Sequence, residues 1–448
     1  MTEFLPRVSW SGKHNTISCA AGHHFYEGRW LANPRYLDDY TLFWFRRGGE
    51  PRRYSFWAAD AIYARYLVNH KRAFLVSLLD DLVANFEAWE YGWSGVNGVS
   101  PGGEAHLDPN GLFWQLDDRD GMEMSIGGHG YRPSTNSYFY GDAVAIAEIA
   151  HLSGRSDVAK TYRSKVAKIK HLVQRCFWDS QADFFKILPR GEGKTLVGVR
   201  ELIGYVPWYF NLPDHGYERA WKQLTDSEGF YAQHGPTTAE QRHPRFAISY
   251  EGHECQWNGP SWPYLTSLVL TALANLLNNY EQDYIGKEDY LYLLKTYACS
   301  QHRTLPNGTV VPWIDENLNP YTGDWIARTR LSAWKNGTWD ARKGGVERGR
   351  DYNHSTYCDL VISGLVGVHP RADNILELRP LVPNNTWDYF CLDQIHYHGQ
   401  LIDVLYDSSG KRYGKGKGLR VFVNGREIVA SPCLERLTVD LGTRSGNR

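Results

Sequence analysis

Two acidic segments place carboxyl groups in loops rather than on helices. Asp120-Gly121-Met122-Glu123-Met124-Ser125 lies in a Gly-rich stretch ahead of a helical pattern. Asp315-Glu316-Asn317-Leu318-Asn319-Pro320-Tyr321-Thr322-Gly323 follows the turn signal Pro306-Asn307-Gly308. Hydrolysis of a glycosidic bond without a metal takes two carboxyl groups, one donating a proton to the leaving oxygen and one activating water or attacking the anomeric carbon. A single acidic loop residue usually caps a helix or faces solvent, so neither segment carries this reading alone. Their aromatic company adds to it. The chain has 17 Trp, 29 Tyr and 17 Phe, and Trp and Tyr present flat apolar faces with a polar tip. Most of these rings are expected to pack between helices and a minority to line a site.

Other chemistries find less support. The clusters His23-His24, Glu251-Gly252-His253-Glu254-Cys255 and His396-Tyr397-His398 lack the ligand spacing of a zinc site, so no metal or other cofactor is expected. Cys358 near His354 does not make a nucleophile site, since nothing else marks one. The seven cysteines contain no C-x-x-C pair and suggest buried thiols. Lys+Arg and Asp+Glu number 49 and 50, which argues against a nucleic-acid or anionic-membrane partner. No segment has the roughly 18 apolar residues of a membrane span, and MTEFLPRVSWSGKHN lacks the apolar core of a signal peptide. A soluble chain is the expectation. Sequons at Asn307, Asn336, Asn353 and Asn384 do not by themselves imply secretion.

The elements that must position the carboxyls are helical for most of the chain. Helical periodicity runs through 54–70, 72–90, 137–153, 157–177, 198–210, 215–225, 261–280, 286–303 and 355–367. Long loops rich in Gly, Trp, Asp and His separate these segments, as suits function carried on loops. After about residue 370 the pattern changes to short runs such as ILELRPLVP, LIDVLYD, LRVFVNG and LERLTVD. VFVNGREIV, with its Asn-Gly turn, is the clearest hairpin. The expected division is a helical unit over 1–370 and a β-rich unit over 371–448.

Four segments resemble the trehalase-like (α/α)6 glycoside hydrolases, and most closely glycoside hydrolase family 63, which includes mannosylglycerate hydrolases. Tyr54-Ser55-Phe56-Trp57-Ala58-Ala59-Asp60 is similar to that family's F-W-x-W-D segment, and Asp120 to Ser125 to its S-G-M/W-D-N-S acid motif. Gln256-Trp257-Asn258-Gly259-Pro260-Ser261-Trp262-Pro263 resembles its Y-W-R-G-P-V-W segment, and Asp315 to Gly323 its Y-E-N-Y-N-P-x-T-G base motif. The resemblance implies an (α/α)6 barrel with a small β-sandwich-like module. It also implies an inverting, exo-acting α-glycosidase taking an oligosaccharide or small glycoside. Glu123 falls at the general acid, where the family has Asp, with Asp120 as the alternative acid. Glu316 falls at the general base. Trp57, Asp60, Asp120, Arg132, Asn136, Trp257, Gly259 and Trp262 fall at substrate-binding positions, with Asn258 replacing the family's Arg. Met122, Met124 and Trp114 are expected to desolvate Glu123, and Asp315 to point away from the site. A sugar epimerase or lyase, a furanosidase or rhamnosidase, and a non-catalytic carbohydrate-binding protein share such toroids and remain alternatives.

Overall fold

The computed structural model describes residues 17–95, 102–191, 193, 195–251, 253, 255–305, 307–326 and 354–442. The N-terminal segment, Pro306, the sequons at Asn336 and Asn353, and Gly252 and Glu254 lie outside the described residues. The helices are α1 (Ala21–Gly28), α2 (Arg35–Arg46), α3 (Ala58–Asn69), α4 (Arg72–Val76), α5 (Leu79–Tyr91), α6 (Pro133–Ser153), α7 (Ser156–Phe177), α8 (Val206–Tyr209), α9 (Lys222–Thr225), α10 (Pro263–Asn279) and α11 (Lys287–Ser300). A π-helical turn follows at Leu360–Leu365.

These elements close into a ring. α1 packs on α3, α3 on α6, α6 on α8, α8 on α10 and α10 on the π-helical turn. Glu27 at the end of α1 completes the circle by accepting the backbone N–H groups of Tyr357, Cys358 and Asp359. A buried Arg29–Asp359 ion pair at 2.8 Å locks the same seam. Among the described residues, six elements therefore form the inner wall of an (α/α)6 toroid.

Patterning separates inner from outer helices. α6 is buried on nearly all sides, from Pro133 through Tyr138 and Ala143 to Ala150, as a helix enclosed by protein must be. α7, packed outside it, buries the stripe Ala159, Tyr162, Ile169, Val173 and Phe177 and leaves its other face polar. The inner wall also needs close approaches. A Cβ at Gly22 of α1 would lie 2.3 Å from the Trp57 ring, so only glycine admits that indole. Two expected helices prove broken. The 198–210 segment is a 3-10 turn, Leu202–Tyr205, running into α8, because Pro207 removes a backbone donor. The 215–225 segment is likewise a 3-10 turn at Glu218–Trp221 followed by α9.

Short strand pairs line the loops: β1 (Trp114–Gln115) with β2 (Gly130–Tyr131), β3 (Trp178–Asp179) with β4 (Phe184–Phe185), and β5 (His302–Thr304) with β6 (Val310–Pro312). The tail supplies β7 (Val368–His369), β8 (Ile375–Leu378), β9 (Tyr389–Tyr397), β10 (Gln400–Asp407), β11 (Gly418–Val423), β12 (Arg426–Ser431) and β13 (Leu437–Asp440). They form two antiparallel sheets, ordered β12-β11-β10-β9 and β13-β8-β7. Ile402, Val404, Leu419 and Val421 of the first share a core with Val368, Leu376 and Leu378 of the second, and with Trp30 and Val68 of the toroid. The Asn424-Gly425 turn has φ of 51° and 79°, positive at both central positions as a type I′ hairpin requires.

Candidate active site

Several of the sequence-selected residues stand at the starts of inner helices. Trp57 is the N-cap of α3, Arg132 that of α6 and Trp262 that of α10. α6 and α10 each place a proline at the first helical position, where the missing N–H costs no hydrogen bond.

Asp120 ties the Glu123 loop to α6. It is fully buried and receives Nε of Arg132 at 2.7 Å and the hydroxyls of Ser134 and Thr135. Arg132 then reaches the Gly128 carbonyl, the Ser125 hydroxyl and the Met122 sulfur. Asn136 spends its amide on the backbone, accepting the Phe113 N–H and donating to the Phe113 and Arg132 carbonyls. Asp120, Arg132 and Asn136, expected at sugar-binding positions, thus spend these bonds on the protein itself. All three are sealed from solvent with their polar atoms engaged inside the protein, and they position the loop.

That loop presents Glu123. Its backbone carbonyl accepts the N–H of Trp257 at 3.1 Å, which pins the acid loop to the 256–263 segment. Burial, reinforced by the charge of Glu316 and then by Asp118 and Asp117, pushes the Glu123 carboxyl up to about 7. The crowding residues differ from those expected. Met122 is buried, but Met124 is 54% exposed, and Trp114 stacks on His106 and under Arg190 instead.

Glu316 is 4% exposed and sits within electrostatic reach of Glu123. Its backbone N–H is held by Oδ1 of Asp315 at 2.8 Å. Asp315 thus folds back on its own chain. Leu318 exchanges both backbone hydrogen bonds with Ser261 at 3.0 Å. Both carboxylate loops are thereby anchored to one segment, that of Trp257 and Trp262. These two indoles stack with centroids 4.1 Å apart, and Trp262 donates its N–H to the Gln256 carbonyl. The Trp257 indole N–H is buried without a protein acceptor. Gly259 serves packing: a Cβ there would lie 2.3 Å from the Ala247 carbonyl oxygen.

Trp57 and Asp60 lie deeper than expected. Asp142, midway along α6, accepts the backbone N–H groups of Ala59 and Asp60, so α3 begins well below the start of α6. Trp57 is fully buried among His23, Tyr138, Tyr209 and Phe210. Asp60 accepts the Tyr26 hydroxyl at 2.7 Å and lines a cavity of about 250 Å³ with Arg29, Asn275 and Asp359. That cavity lies among the C-terminal residues of α10, Thr271, Ala274, Asn275 and Asn278.

The sequence reading missed Cys255, whose thiol lies 3.5 Å from Oε2 of Glu316, and Tyr54, whose hydroxyl feels the Glu123 charge. The first sat inside a cluster considered only for metal ligation and the second inside a motif considered only for Trp57 and Asp60. Two of the histidine clusters serve packing: His23 bonds Thr356, His24 bonds Tyr40, and His398 stacks on His70 and bonds the Leu67 carbonyl. Among the described residues no group of three His, Cys, Asp or Glu side chains could hold a metal, and no helix is long and apolar enough to cross a membrane.

A helical toroid whose loops gather two glutamates at the starts of its inner helices is a glycoside hydrolase scaffold. Residues 13–355 match the family model of the mannosylglycerate hydrolase MGH1-like glycoside hydrolase domain, and residues 371–430 match the C-terminal domain of glycosyl hydrolase family 65. The chain belongs to the MGH1-like glycoside hydrolase family. A solved sialidase structure is 40% identical over 99% of this chain with a TM-score of 0.85, and this chain spans 38% of that one. A family 63 mannosylglycerate hydrolase from Thermus thermophilus, solved with Tris and D-glycerate, shares the fold at 13% identity. The match covers 69% of this chain and 88% of that one with a TM-score of 0.52. An uncharacterized conserved protein from the same organism matches at 13% identity over 71% of this chain and 92% of its own, also at 0.52.

Proposed function

We propose that this glycoside hydrolase is an inverting, exo-acting α-glycosidase in which Glu123 is the general acid and Glu316 the general base. One observation carries the assignment: two loops almost two hundred residues apart in sequence are tied to the same 256–263 segment, and burial, with the charge of Glu316, raises the carboxyl of Glu123 toward neutrality. A proton donor working near neutral pH needs that elevation. Asp120, the alternative acid, is committed to Arg132, Ser134 and Thr135. Trp257 supplies an indole N–H without a protein acceptor and, with Trp262, an aromatic wall. Family membership supports the inverting course and an α-linked substrate. We assign the catalytic unit to residues 1–370 and the accessory module to 371–448.

The sialidase name belongs to a much longer chain. Sialidases use a tyrosine nucleophile, whereas the pair described here consists of carboxylates. A panel of nitrophenyl α- and β-glycosides, including rhamnosides, furanosides and a sialoside, tests the reading. Release of nitrophenol from an α-glycoside, lost in Glu316→Ala, is expected. Turnover that survives both Glu123→Gln and Glu316→Ala contradicts the assignment.

A further inference from the structure

Four exposed tyrosines surround the Glu316 loop or follow from it. Tyr250, Tyr321, Tyr231 and Tyr292 are 37%, 46%, 40% and 46% exposed. Hydrogen bonds fix them as a series. Asn319 of the Glu316 loop donates to the Tyr250 hydroxyl at 3.2 Å. Tyr321 of the same loop donates its hydroxyl to Gln241 at 2.6 Å, and the Gln241 amide donates to the Tyr231 carbonyl at 2.7 Å. The Tyr231 and Tyr292 hydroxyls meet at 2.9 Å with ring planes within 22°. A second tie, from the His234 N–H to the Pro320 carbonyl at 2.9 Å, joins the Tyr231 segment to the loop.

The series ends in a surface hollow of about 290 Å³ behind Tyr231 and Tyr292, floored by Phe230, Ile285 and Leu293 and edged by Thr225, Asp289 and Thr296. Apolar ring faces with hydroxyl and carboxyl groups at their margins match a pyranose, which has one apolar face and an equatorial belt of hydroxyls. Anchoring to α11 through Tyr292 and to the Glu316 loop through Tyr321 holds the rings in place before any ligand arrives, which lowers the entropic cost of binding.

We propose that these tyrosines form a distal glycan track leading outward from the Glu316 loop, and that its occupant is a linear oligosaccharide longer than the part held beside Glu123 and Glu316. The inference rests on the glycosidase reading for its direction and on the tyrosine series for its existence. It assigns this enzyme a chain substrate rather than a compact disaccharide-sized one.

The test uses the full chain and two readouts. On a glycan microarray carrying linear oligosaccharides of increasing length, Glu316→Ala enzyme should bind longer chains better than short ones. Adding Tyr231→Ala and Tyr292→Ala should weaken long-chain binding by about tenfold. Single Tyr231→Phe and Tyr292→Phe variants, which keep the rings, should retain most of it. In the second readout, nitrophenyl glycoside turnover by the double Tyr→Ala variant of the otherwise wild-type enzyme should stay within about twofold of the parent, because the short substrate does not reach the track. Length-independent binding, or long-chain binding unchanged in the double variant, overturns the proposal. Loss of nitrophenyl turnover only in Glu123 and Glu316 variants leaves the catalytic reading standing whichever way the array falls.

Discussion

Glu123 carries a predictable pH signature. Its carboxyl is pushed up to about 7, first by burial and then by the charge of Glu316. As the proposed general acid it must be protonated, so kcat/KM is expected to fall as pH rises through about 7, and Glu123→Gln should erase that limb. The variant should also lose about 10²–10⁴-fold in turnover on poor leaving groups, and much less on nitrophenyl substrates, which need little protonation. Comparing the two leaving groups checks this; a larger loss on the poor leaving group in Asp120→Asn, in a variant that stays folded, would move the acid to Asp120. Stability follows in the same direction. The folded state holds a proton that the unfolded chain releases near the ordinary 4.5. The stability associated with that proton is therefore complete below about 4.5 and is lost as pH rises through about 7. Glu123→Gln should consequently melt above the wild type at about pH 8 and level with it at about pH 4 in thermal scans.

At the scale of elements, the acid loop is only as well placed as the buried Asp120–Arg132 pair behind it. Asp120→Ala leaves the Arg132 guanidinium uncompensated in a sealed site, a change of about 3–5 kcal/mol for pairs of this kind. Denaturant unfolding should show that loss, with turnover falling alongside it. Full stability in Asp120→Ala would deny the positioning role. Motif spacing identified this loop but not its direction: it cannot show that Arg132 and Asn136 turn inward from the first turn of α6 to hold Asp120 and Phe113. Direction depends on where each inner helix begins, and α3 begins level with Asp142 rather than with Arg132. The same limit applies to α1 and α2. α2 buries Leu37, Tyr40, Thr41 and Trp44 at helical spacing, a legible signal that the Gly- and Arg-rich flanks obscured. The single turns of α8 and α9, by contrast, exist through tertiary packing rather than propensity.

Across the whole molecule, the β module packs against the toroid at α3 and at Trp30. His398 donates its backbone N–H to the Val68 carbonyl, and Trp30 and Val68 complete the module's core. Removing residues 371–448 should therefore expose apolar surface at the ends of α1 and α3. Dye binding and aggregation of the truncated chain, compared with the parent, would check this. The change from helical period to alternating runs announced the module, and the Asn-Gly turn its best hairpin. β9 escaped notice because its exposed residues include polar ones on both faces and a bulge interrupts its pairing with β10. The convergence of Glu123 and Glu316 is likewise a property of ring closure, invisible in either segment alone. In the proposed mechanism it also sets the stereochemical course. An inverting pair leaves room for water, with carboxyl groups about 6.5–9.5 Å apart, whereas a retaining pair stands at about 5–5.5 Å. Proton NMR of the first sugar released, recorded before mutarotation, reads that course directly. Release of the anomer opposite to the substrate's is the predicted result; a first-formed sugar that keeps the substrate's configuration would make Glu316 a nucleophile and contradict the account.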